Sequence, residues 1–100
     1  MNPVHTINSV YSDIHKYCSS GIKVSQALLY YRCGFNITMT QKSSVCIEIM
    51  AMPVSYSNIY KWKTKKVSVH LNKINGKAIV SKKDIRDAIH FINKEIDIAR

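Results

Sequence analysis

From Ile49 to Lys83 the chain contains neither aspartate nor glutamate. Acids are scarce throughout, six against fifteen lysines and arginines, which leaves a formal charge of +9. The other scarcities exclude function classes in turn. The three glycines, Gly21, Gly34 and Gly76, are too scattered for a Gly-rich phosphate loop. No apolar run approaches the roughly 18 residues of a membrane span. Carboxylates are too few for a convincing acid–base pair, and Asp84 and Asp87 fall on a helix start, where capping accounts for them. Cys18, Cys33 and Cys46 are odd in number and widely spaced. A zinc site would call for two closely spaced ligand pairs, and the chain has none, so reduced, partly buried thiols are the plain reading, with no metal. His15 and Cys18, three apart on a helix, are not by themselves a nucleophile and its base. The expectation is a protein that is not an enzyme and takes no cofactor. Met1-Asn2-Pro3-Val4-His5 lacks a charged segment followed by an apolar one, so a cytoplasmic protein is expected.

What is present reads as one domain over residues 1–100, with an apolar fraction of 46%, ordinary for a globular protein. Residues 4–18 read as a helix with Val4, Ile7, Val10, Ile14 and Tyr17 on one stripe. Ser19-Ser20-Gly21 interrupts it as a turn. Residues 22–33 read as a second helix, with Ile22, Val24, Ala27, Leu28 and Tyr31 on its apolar side, Ser20 as N-cap and Gly34 as the glycine that ends it. Residues 35–40 read as a short extended piece or an extra helical turn, and Gln41-Lys42-Ser43-Ser44 as a loop. Val45 to Met52 reads as a strand that Pro53 ends. Lys66 to Ile74 alternates, with Val67, Val69 and Leu71 inward and Ser68, His70 and Asn72 outward. Asn75-Gly76 is the strongest hairpin signal in the chain. Ser81 begins a capping box ahead of a last helix whose Ile85, Ala88, Ile89, Ile92 and Ile96 recur at helical spacing. The fold class expected is α+β: two N-terminal helices, a small antiparallel sheet of two or three strands, and a C-terminal amphipathic helix.

The charge is unevenly placed. The acid-free stretch holds Lys61, Lys63, Lys65, Lys66, Lys73, Lys77, Lys82 and Lys83, while Asp84, Asp87, Glu95 and Asp97 crowd the last seventeen residues. A solvated, solubility-giving surface is the plain alternative, but such surfaces normally mix the two signs. Two short helices and a hairpin with a basic loop describe a winged helix–turn–helix. A helix fits the major groove, where Lys23, Ser25, Gln26, Tyr30 and Arg32 would read base edges or phosphates. On the wing, residues 54–66, Lys61, Lys63, Lys65 and Lys66 would neutralise phosphates, with Trp62 between them. The partner expected on this reading is duplex DNA, with homodimerisation through Ile85, Ile89, Ile92 and Ile96 unless that stripe completes the core.

The run SDIHKYCSSGIKVSQALLYYRCGFN, followed by SVCIEIMAMPV and later KKVSVHL, resembles the CaiF/GrlA family of enterobacterial transcriptional activators over about residues 12–72. The resemblance implies a winged-helix, DNA-binding transcription regulator of bacterial or mobile-element origin. The chain departs from the family in lacking an additional N-terminal helix, in a 54–66 loop without glycine, and in its acid-tipped last helix. Two other readings stand beside it. One is a small phage- or plasmid-type regulator or inhibitor that docks on a protein through the basic aromatic loop, with Trp62 at its centre. The other is an RNA-binding module that stacks bases on Tyr56, Tyr60 and Trp62.

Overall fold

The computed structural model describes residues 7–19, 25–54 and 64–99. Helix α1 spans Ile7–Ser19. Strands β1 (Ala27–Arg32), β2 (Phe35–Ser43), β3 (Cys46–Pro53) and β4 (Lys65–His70) follow in an antiparallel meander, so their order in the sheet is their order in the chain. A separate hairpin, β5 (Asn72–Ile74) with β6 (Lys77–Ile79), leads into helix α2, Lys82–Ala99.

The winged helix–turn–helix is overturned. In place of two N-terminal helices and a sheet of two or three strands, the chain has one N-terminal helix and a four-stranded sheet. The segment expected as the recognition helix, 22–33, is a strand over Ala27–Arg32. Its apolar spacing suits a helix, and the turn that follows decides for a strand. Cys33 (φ 51°) and Gly34 (φ 88°) both adopt positive φ, as a two-residue type I′ hairpin requires. Gly34 therefore does use its freedom from Cβ sterics, but it reverses a strand and does not end a helix. The faces are inverted as well. Leu28 and Tyr31, assigned to the apolar side of a helix, are 60% and 57% exposed, whereas Tyr30, assigned outward, is 5% exposed. A register shift between Leu28 and Tyr30 inserts Leu29 as an extra residue, and Leu29 and Tyr30 are both buried. Residues 41–43, expected as loop, extend β2 to its turn at Ser44-Val45.

The remaining elements follow the local chemistry. At the start of α2 the Ser81 hydroxyl accepts the Asp84 N–H at 3.3 Å and the Ser81 carbonyl accepts the Ile85 N–H at 3.1 Å. Asn75 (φ 54°) and Gly76 (φ 78°) form a second type I′ turn. One face of the main sheet carries Phe35, Ile37, Met39, Ile47, Ile49, Ala51 and Val69, all buried. Val10 and Ile14 of α1 and Ile85, Ile89, Ile92 and Ile96 of α2 close over that face to form a single core. The isoleucine stripe of α2 is thus buried within its own chain and presents no exposed dimer seam. Side-chain bonds tie α2 to the sheet: Tyr30 Oη donates to Asn93 Oδ1 (2.8 Å), Arg32 pairs with Asp97 (2.9 Å), and Lys65 with Glu95 (3.8 Å).

Candidate functional site

At Leu71 the chain leaves β4 and turns out of the main sheet. The Leu71 N–H donates to the Val45 carbonyl at 2.7 Å, and Leu71 is buried. Val80, at the other end of the β5–β6 hairpin, is buried too, and its carbonyl accepts the Tyr11 hydroxyl at 3.2 Å. The base of the hairpin is therefore pinned to the core and its arms stand away from the sheet. Between those arms, the C-terminal half of α1 and the β2–β3 turn lies a cleft of about 720 Å³.

Each wall supplies polar groups. Helix α1 contributes His15, Cys18 and Ser19; the β2–β3 corner contributes Gln41, Ser43 and Ser44; the hairpin contributes Lys73 and Lys77 around Gly76, with Ala78 and Ile79 as apolar floor. Among the described residues no aspartate or glutamate lines the cleft. Neither Lys73 nor Lys77 has a carboxylate partner among the described residues, unlike Arg32, Lys42, Lys65 and Lys83. The His15 ring lies 5.9 Å from Tyr11, tilted by 45°. Ser19 Oγ donates to the His15 carbonyl (2.8 Å), a back-bond to the carbonyl four residues earlier in α1. Ser43 Oγ accepts the Val45 N–H at 3.2 Å and holds the corner shut. Burial pushes the Cys18 thiol up, the reverse of what a nucleophilic thiol beside His15 would need. What the walls offer is positive charge and hydrogen-bond donors, the chemistry of an anion site.

Of the residues expected to face DNA, the described ones do not line this cleft. Lys23, Lys61, Trp62 and Lys63, with Tyr56 and Tyr60, lie outside the described residues. Ser25 and Gln26 are exposed just before β1, with the Gln26 amide 3.9 Å from Met52 Sδ. Tyr30 is buried against α2, and Arg32, part-exposed, is paired there with Asp97. Lys65 and Lys66 are consecutive on β4 and so point to opposite faces. Lys65 pairs with Glu95, and Lys66 lies exposed on the outer face opposite Met50. Lys73 and Lys77 were legible only as members of the acid-free stretch. The signal that could have singled them out is their closeness to the Asn75-Gly76 turn, on adjacent rungs of the hairpin opposite Ala78 and Ile74. His15, Ser19, Gln41, Ser43 and Ser44 carried no signal, because they meet only through the tertiary fold.

Among the described residues no group of three or more His, Cys, Asp or Glu side chains could hold a metal, and no helix is long and apolar enough to cross a membrane. No protein-family model, curated protein or solved structure matches the chain.

Proposed function

We propose that the protein binds single-stranded nucleic acid by its sugar–phosphate backbone, in the cleft between α1 and the β5–β6 hairpin, in a cytoplasmic setting where its thiols stay reduced. The observation that carries this reading is the composition of the cleft walls among the described residues: two lysines without carboxylate partners, a histidine, serines and a glutamine amide, and no acid. Each lysine that neutralises a phosphate releases condensed counterions. The Ser43 and Ser44 hydroxyls and amide N–H groups add neutral donors to phosphate oxygens. A concave site of about 720 Å³ suits a strand laid into it better than the convex flank of a duplex. Such contacts sense charge and shape and carry little base specificity.

The test is fluorescence anisotropy with a labelled single-stranded RNA, the same sequence as single-stranded DNA, and a duplex, between about 50 and 200 mM salt. The expected order places the single strands above the duplex. The double variant Lys73→Glu/Lys77→Glu should weaken single-strand binding and flatten the salt slope by about 1.4, at roughly 0.7 for each phosphate no longer neutralised. Its unfolding midpoint should stay near that of the parent protein, because both side chains are exposed. No binding to any of the three, or an unchanged slope in the variant, would overturn the reading.

A further inference from the structure

A second groove, of about 400 Å³, lies on the far edge of the main sheet. Its lining has a geometric meaning. On one side stand Val67, Ser68, Val69 and His70, four consecutive residues of β4. Successive side chains of a strand alternate between faces, so a groove that touches all four runs along the edge of the backbone itself. Among the described residues β4 pairs only with β3. In an antiparallel pair alternate residues spend their N–H and C=O groups on the neighbour, and the intervening ones direct theirs away, here into the groove. The opposite wall is one stripe of α2: Asp84, Asp87, Ala88 and Phe91, at i, i+3, i+4 and i+7. Phe91 is 46% exposed and Ala88 is buried beneath it, so the wall combines an apolar shelf with two carboxylates at its N-terminal end.

We propose that this groove is a peptide-docking site, in which an extended basic segment of a partner protein adds to β4 as a fifth strand. The choice of occupant rests on charge complementarity. In a chain of net charge +9, with no acid between Ile49 and Lys83, Asp84 and Asp87 place negative charge at this groove. Asp87 also pairs with Lys83 at 2.9 Å, an exposed pair that a cation on the incoming strand would have to displace. His70 lines the wall opposite the acids. Main-chain hydrogen bonds to β4 would supply affinity, the Ala88–Phe91 shelf would take an apolar side chain, and the acids would select lysine or arginine beside it. This groove shares no lining residue with the nucleic-acid cleft, so either site can fail without the other.

The probe is a seven-residue capped peptide, Lys-Val-Thr-Val-Thr-Val-Lys, compared with its glutamate-for-lysine version and with versions N-methylated at alternate backbone nitrogens in either phase. Binding of the basic peptide should shift the backbone amides of residues 67–70. N-methylation in one of the two phases should abolish binding, because it removes the donors that face β4. Asp84→Asn with Asp87→Asn should weaken binding by about fivefold, the loss of two surface ion pairs. Phe91→Ala should weaken it further at unchanged charge. Equal binding of the glutamate peptide, indifference to N-methylation in both phases, or no binding of the basic peptide would each overturn the proposal. So would amide shifts at residues 67–70 that grow with protein concentration alone, since a second copy would then hold the edge.

Discussion

Cys33 shows how much a single backbone angle decides. It holds φ 51° at the first central position of a type I′ turn, where asparagine is favoured and a cysteine side chain is crowded. Cys33→Asn should raise stability by about 1 kcal/mol, read from the urea midpoint at unchanged slope. Tyr30 is decided by its surroundings. Burial, opposed by the Arg32 charge, pushes its hydroxyl up to about 12. An unfolded tyrosine ionises near pH 10, so the neutral form is favoured in the folded chain. The stability Tyr30 contributes is therefore complete below about pH 10 and is lost as pH rises toward 12. Tyr30→Phe should lower stability at neutral pH by about 1 kcal/mol, the net worth of one hydrogen bond, and should shrink the alkaline loss. Unfolding midpoints of both proteins from pH 8 upward would check the two effects together.

The elements divide by whether their signals are local. Helix α2 was legible because cap, dipole charges and apolar spacing agree. Ser81→Ala should cost about 1 kcal/mol, measured by thermal or urea unfolding, since it leaves the Asp84 N–H without its acceptor. The β5–β6 turn was equally legible, because Asn-Gly states its own φ angles. Residues 22–33 mislead for a physical reason. Ala27, Leu28 and Tyr31 suit a helical stripe, while Ala-Leu-Leu-Tyr-Tyr-Arg with a bulge at Leu29 breaks the period-two alternation that marks a strand. Pairing with β2, nine residues long and itself paired with β3, outweighs a local helical preference. Once β1 is a strand, Arg32 reaches Asp97 at the surface and Tyr30 is buried against Asn93.

At the scale of the molecule, the uneven charge takes its meaning from the fold. The absence of acids from Ile49 to Lys83 is a property of sequence, but its consequence depends on where the fold sends each lysine. Lys65 is spent on Glu95 and Lys83 on Asp87. Lys66 is carried to the outer sheet face. Lys73 and Lys77 are left at a cleft whose other walls come from α1 and the β2–β3 corner, far away in sequence. Half of that site was thus visible as a basic stretch, and the other half exists only after folding. Two of the six acids, Asp84 and Asp87, mark a groove of opposite character beside β4.

The most direct test of the cleft is a map of backbone amide shifts as a short single-stranded oligonucleotide is titrated into the protein. Binding as proposed predicts saturable shifts at His15, Ser19, Gln41, Ser44, Lys73 and Lys77, with the β4–α2 groove unmoved. Shifts confined to the outer sheet face or to β4, with those six residues silent, would contradict it.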